Sequence, residues 1–291
     1  MAVSVREQAV YDGLLGLVAA TGEIPVDSAN AGDQSTTASF SGHQVATNAD
    51  GVTIAVWQDT SSGGAIMARR FNASGAPLGA AFRVDSGAGT NPNSPAVAID
   101  ASGAFVVVWS SSGQDGNGKG IEARFYDASG AALTGEVTVN TTTNKDQFDP
   151  AVAIGPAGDV VITWTSTYPL KTTTDISFRA FDLAGNATMG YEMPADNPLQ
   201  FVNHTNSSVA FGADGSMVIV FQQANGGNWD VYAQRFSDAT TGNGNAILVN
   251  TSSSKGSPVP DVAVAANGSF MVTWTESNPG NPDVMGRLFN A

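Results

Sequence analysis

The chain has 291 residues, 33 of them glycine, with 13% charged side chains and no cysteine. That excludes disulfides, thiolate metal sites and cysteine nucleophiles, and suits many short strands joined by tight turns. With 26 acidic against 12 basic residues the formal net charge is −14, so nucleic acid is excluded as a partner by repulsion over most of the surface.

Residues 1–20 come first in the chain. Arg6, Glu7 and Asp12 interrupt them too often for a signal peptide. Val10, Leu14, Leu15 and Val18 form a rough apolar stripe that predicts one short N-terminal helix outside the main fold, serving as a cap or as a self-association element, and weakened by Gly13 and Gly16. No later stretch approaches a membrane span.

Residues 21–291 carry a repeat. Val52-Thr-Ile-Ala-Val-Trp57, Phe105-Val-Val-Val-Trp109, Val160-Val-Ile-Thr-Trp164, Met217-Val-Ile-Val-Phe221 and Phe270-Met-Val-Thr-Trp274 recur at spacings of 52, 55, 57 and 53. Each follows an apolar stretch and a turn signal such as Asn48-Ala-Asp50-Gly51 or Asp100-Ala-Ser-Gly103, which predicts a hairpin of strands one and two. A third strand with one buried face comes next, as in Ile121-Glu-Ala-Arg124-Phe125 and Ile176-Ser-Phe-Arg179-Ala-Phe181. A second turn, as in Asp127-Ala-Ser-Gly130, leads to a fourth strand such as Val137-Thr-Val139-Asn140.

Five four-stranded units at this period predict an all-β, five-bladed β-propeller of antiparallel blades, over about 38–86, 92–140, 148–203, 206–250 and 257–291 plus 22–28. The last unit reaches only its third strand, whereas residues 23–28 match the fourth-strand pattern at 136–141. The N-terminal strand is therefore expected to complete the last blade and close the ring.

The second unit, from Trp109-Ser-Ser-Ser-Gly-Gln114-Asp115 through Ile121-Glu-Ala-Arg124 to Asn140, resembles the tandem units of large bacterial surface and secreted proteins of the repeats-in-toxin kind. The resemblance implies export by a one-step type I route, an extracellular or cell-surface location and possible calcium association. The chain lacks the glycine-aspartate nonapeptide array that accompanies that family.

The connections from strand two to strand three, at 58–65, 110–120, 165–175, 222–230 and 276–283, read as the variable face where binding is expected. Trp229, flanked by Asn228 and Asp230, falls outside the repeated Trp position, and reads either as a sugar-stacking platform or as packing over a blade edge. Asp115, Asp175, Asp230 and Asp283 read as turn formers or as calcium ligands with loop carbonyls, with Asp115 and Asp230 as the named metal candidates. Trp57, Trp109, Trp164, Phe221 and Trp274 track the scaffold and are assigned to packing. Arg69, Arg124, Arg179 and Arg287 track it too, and are assigned to bonds with a neighbouring blade.

His43 and His204 give no metal triad, no repeated first-strand carboxylate reads as nucleophile or base, and Glu276 alone follows a core Trp at a loop entrance. The leading expectation is a non-catalytic binding or adhesion module whose loop face engages a glycan or a protein. The alternatives are an assembly subunit self-associating through the N-terminal segment, and a five-bladed glycoside hydrolase or lyase.

Overall fold

In the computed structural model, residues 24–27, 34–35, 42–60, 64–167, 173–195, 202–278 and 281–291 are described, and they contain strands and turns but no helix. The helix expected over residues 1–20 lies outside them. No helix long and apolar enough to cross a membrane occurs among the described residues.

Five antiparallel sheets follow one another along the chain. In the first, β1 (Gln34–Ser35) and β2 (Val45–Thr47) both pair with β3 (Thr53–Asp59), followed by β4 (Ala65–Phe71) and β5 (Phe82–Arg83). The second orders β6 (Thr90–Ile99), β7 (Phe105–Ser112), β8 (Lys119–Tyr126) and β9 (Val137–Thr138). The third has β10 (Gln147–Ile154), β11 (Val160–Thr167), β12 (Thr174–Phe181) and β13 (Met193–Pro194). The fourth has β14 (His204–Phe211), β15 (Met217–Asn225), β16 (Asn228–Phe236) and β17 (Ile247–Leu248), and the fifth β18 (Asp261–Val264), β19 (Phe270–Asn278) and β20 (Asn281–Phe289). Sheets of this kind packed in series are the blades of a propeller.

Local chemistry sets the hairpins. The Asn48 side-chain oxygen accepts from the amides of Asp50 and Val52, and Asp127 repeats the device with Ser129 and Ala131. Gly51 takes φ 78°, and a Cβ there would sit 2.6 Å from that of Ala73, so both the turn and the close approach of the two hairpins demand glycine.

The second strands lie between sheets and are apolar on both faces: β7 is buried from Phe105 through Ser111. Apolar clusters fill the spaces between blades. Trp109 packs with Ile54, Val56 and Ile66 between blades one and two, and Trp164 with Val106, Val108 and Phe125 between two and three. Phe221 packs with Val161 and Phe178 between three and four, and Trp274 with Val218 and Val231 between four and five. Trp57 is buried in blade one. Each such ring removes on the order of 200 Å² from water, worth several kcal/mol.

A polar clamp accompanies three of these four clusters. Arg124 Nη1 donates to the Val84 carbonyl of the preceding blade at 2.8 Å, Arg179 to Val139 at 2.9 Å and Arg287 to Val249 at 2.7 Å. In each case the guanidinium also lies 5.2–5.9 Å from the ring two residues on, that of Tyr126, Phe181 or Phe289. Arg69 donates to the carbonyls of Pro25 and Val26 at 3.2 and 3.1 Å, so residues 25 and 26 occupy, toward blade one, the place a preceding fourth strand holds elsewhere.

The fifth sheet departs from the expected pattern. It has three strands, and residues 24–27, the described part of the segment expected to complete it, form no ladder with β20. Pro25 has no amide to donate, and the contacts of this segment run instead to Arg69 of blade one. Val284 and Leu288 on β20 are correspondingly 82% and 68% exposed.

Candidate functional site

The first strands of sheets two to five share a short segment: Asn93-Ser94-Pro95-Ala96-Val97, Phe148-Asp149-Pro150-Ala151-Val152, Thr205-Asn206-Ser207-Ser208-Val209 and Pro258-Val259-Pro260-Asp261-Val262. In β6, β10 and β14 the ladder slips at this segment, between Asn93 and Ala96, Phe148 and Ala151, and Thr205 and Ser208. Ser94, Asp149 and Asn206 each take φ 53°, and Val259 takes φ 40°. Small polar residues tolerate the left-handed region by bonding locally, whereas a β-branched valine is strained there. Bulges re-aim side chains, and here they turn polar groups of successive blades toward one another.

Bonds made at and around the first strands form a band that touches all five blades. The Ser94 hydroxyl donates to Asp149 at 3.1 Å, linking blades two and three. Ser207 donates to Thr163 at 2.9 Å, linking four to three. Asn206 donates to Ser257 at 3.1 Å, and Ser208 donates to Asp261 at 2.7 Å, linking four and five. The His43 Nε2 lies 3.0 Å from Asp261, linking blade one to blade five, while the Val97 amide donates to the His43 carbonyl from blade two.

Two carboxylates in this band have opposite protonation bias. Burial raises the Asp149 carboxyl above its ordinary value, and the Ser94 hydroxyl and the charge of Lys119 offset it only in part. Burial pushes Asp261 upward as well, but the bond and charge of His43, with Ser208 and the Val262 amide, outweigh it and hold that carboxyl low. The Asp261 hydrogen bond raises the His43 imidazole against its own desolvation. A group biased toward the acid form and one biased toward the ion, from blades three and five, thus belong to one hydrogen-bonded band.

The residues singled out from the sequence lie elsewhere. The 222–230 segment is mostly ladder: β15 runs to Asn225 and β16 starts at Asn228, leaving Gly226 and Gly227 as a two-residue turn. Asn228 faces Asn225 across that turn, and Trp229, half-buried, exchanges backbone bonds with Ser254 at 2.8 Å. Asp230 accepts from Asn225 at 2.7 Å and from Asn250 at 3.2 Å. Asp115 accepts from Asn140 at 2.9 Å, and Asn140 in turn takes the Ile121 amide, a fourth-to-third strand tie that Asn250 repeats with Val231. Asp175, 1% exposed, pairs with the fully buried His204 at 3.1 Å, and Asp283 is an exposed partner of Glu276 across the fifth sheet. The four aspartates belong to four different blades. Among the described residues no group of three or more His, Asp or Glu side chains converges as a metal site would require.

Asp149 and Asp261 escape a reading that looks for a repeated carboxylate, because the position varies: Ser94, Asp149 and Asn206 are equivalent, as are Ala96, Ala151, Ser208 and Asp261. The usable signal was the short polar segment, three times carrying a proline, one or two residues before each first-strand Ala-Val or its equivalent.

Comparison with family models and with curated proteins gives no match. Similar solved structures are propellers or their relatives in shape. One is a protein of unknown function from Dyadobacter fermentans, at TM-score 0.59 and 13% identity over 84% of this chain and 74% of that one. A thermostable family-43 glycoside hydrolase aligns at TM-score 0.51 and 11% identity over 90% and 91%. An endo-arabinase from Bacteroides thetaiotaomicron aligns at TM-score 0.51 and 11% identity over 87% and 95%. These likenesses establish the fold.

Proposed function

We propose that this protein is a carbohydrate-active propeller of the glycoside hydrolase or lyase type, with its reaction centre at the axial mouth around Asp149 and Asp261. The observation that carries the reading is the opposite protonation bias of these two inner-strand carboxylates. A carboxyl whose hold on its proton is strengthened by burial suits a general acid toward a leaving glycosidic oxygen. A carboxylate kept ionised by His43 suits a base, or a stabiliser of the positive charge that develops on the sugar ring. The family-43 hydrolase and the endo-arabinase that share the fold lend this chemistry fold-level support only. An axial centre needs five blades around one axis, so the reading includes a ring closed at the seam of blades five and one by His43–Asp261 and by the grip of Arg69 on residues 25 and 26.

Turnover on a polysaccharide panel, followed by reducing-end release and by the absorbance of unsaturated sugars, tests the reading. Asp149→Asn and Asp261→Asn should each lower kcat by about a hundredfold or more while the fold persists. Silence of the unaltered protein across the panel, or turnover indifferent to both substitutions, rejects it.

A second reading is favoured by Trp229, a half-buried aromatic beside Asn228 on the rim of blade four. In it the chain is a secreted or surface-bound adhesion module that stacks a sugar on Trp229 without cleaving it, with calcium at Asp115 and Asp230. Glycan-array binding lost in Trp229→Ala and reversed by a chelator, in the absence of turnover, would select it.

A further inference from the structure

The clamp arginine is absent from one blade. Positions 69, 124, 179 and 287 hold arginine, and the equivalent position in blade four is Gln234. Where arginine is present in blades one to three, its Nε donates to the carbonyl ten residues on, that of Gly79, Thr134 or Met189, and its Nη1 continues to the preceding blade. Gln234 keeps the first half of this arrangement, since its Nε2 donates to Gly244, again ten residues on, at 3.2 Å. The second half is missing because the shorter side chain ends there and turns its other hydrogen to its neighbour's carbonyl, that of Arg235, at 2.9 Å.

Among the described residues no side chain takes the guanidinium's place, and its frame opens only narrowly, with Ala195 2% and Phe236 4% exposed. The Ala195 amide donates to Ile176 in the way Val84, Val139 and Val249 donate to Ile66, Ile121 and Val231, so the Ala195 carbonyl is the counterpart of the three that accept an arginine. Among the described residues no side chain donates to it. Phe236 stands where Tyr126, Phe181 and Phe289 underlie their guanidinium groups. A groove of about 500 Å³ occupies the place, lined by Met193, Ala195, Tyr232, Gln234 and Phe236 among others.

We propose that the groove between blades three and four is a binding site for a guanidinium group supplied from outside the fold, held by the Ala195 carbonyl and the Phe236 ring as the other blades hold their own arginines. The chain's net charge of −14 adds long-range attraction for a cation. A planar guanidinium suits this frame better than an ammonium, because it donates in two directions while stacking on an aromatic face. The group would come from a free small guanidine or from an arginine side chain on another polypeptide.

Calorimetric titration of the full chain with agmatine, with a Gly-Arg-Gly peptide blocked at both ends and with cadaverine separates the cases. Binding of agmatine or the peptide, with cadaverine at least about tenfold weaker, is expected. Tighter peptide than agmatine assigns the source to a protein, and the reverse to a small molecule. Gln234→Arg should fill the groove with its own side chain, abolish the binding and raise the Tm. Phe236→Leu should weaken binding by about tenfold without filling the groove, and gives the answer if the arginine variant folds poorly. No binding of either guanidine at millimolar concentration overturns the proposal, as does equal binding of cadaverine or unchanged affinity in a folded Gln234→Arg protein. Polysaccharide turnover at the axial mouth is read separately and is indifferent to these outcomes.

Discussion

Glu122 lies on β8 with 1% of its surface exposed, and its carboxylate accepts from the Thr138 hydroxyl at 3.1 and 3.2 Å. Burial pushes its pKa up from 4.5 to about 7, helped by the negative charges of Glu136 and Asp115 and opposed by Thr138. The folded state therefore holds this proton more tightly than the unfolded state does. The advantage is complete below about pH 4.5 and is lost as pH rises to about 7, a swing on the order of 3 kcal/mol. Glu122→Gln, which keeps the shape and removes the ionisation, should raise unfolding stability by up to about this amount at pH 8 and change it little at pH 4. Denaturant titrations across that range check it, and an equal effect at both ends would mean that folding does not raise the Glu122 pKa. Its burial was not legible in the sequence, where Ile121-Glu-Ala-Arg124 reads as a strand with polar residues outward. In a propeller the outward face of one blade is the inward face of the next, so alternation within a strand no longer separates core from solvent.

The blade is the element that repeats, and its edges decide the stability of the whole. Each interface from blade one to blade five has an apolar cluster around Trp or Phe, and all but that of blades three and four add the arginine clamp, a charge-assisted bond to a carbonyl partly shielded from water. Arg124→Gln should reproduce in blade two the state that Gln234 has in blade four. The expected cost is about 1–2 kcal/mol in chemical unfolding, with an induced affinity for guanidinium cations. Arg124→Lys should not restore the stability, because an ammonium cannot reach both carbonyls and stack on Tyr126 at once. Full rescue by lysine would reduce the clamp to a point charge. The recurrence of these arginines is plain in the sequence, and so is the substitution at 234. Their direction is not, because the acceptors lie about 40 residues back and belong to another sheet. The bulges at Ser94, Asp149 and Asn206 were hidden for a related reason: a left-handed residue before the ladder has no strong composition signal once serine, aspartate and asparagine all serve.

In the closed ring proposed above, the seam between blades five and one is, among the described residues, the most thinly held joint. Apolar clusters join blades one through five in series. Across the seam, the described residues offer the half-exposed His43–Asp261 pair, and Arg69 holds residues 25 and 26 from the blade-one side. Deleting residues 21–30 should therefore lower the Tm well beyond the effect of deleting residues 1–18, because it removes the acceptors of Arg69 and leaves blade one with an open edge. Equal losses in the two deletions would show that the seam is held by something other than this segment.

Period, turn chemistry and the alternation of apolar residues are local properties, and from them the sequence by itself determined five antiparallel sheets, their order and the residues that pack between them. The polar band at the first strands was decided only by the tertiary structure. Asp149 and Asp261 are 112 positions apart and occupy non-equivalent places in their repeats, so neither spacing nor recurrence links them. They belong to one hydrogen-bonded band because the first strands of successive blades pack side by side, and they differ in protonation bias because one is buried beside a hydroxyl and the other beside an imidazole.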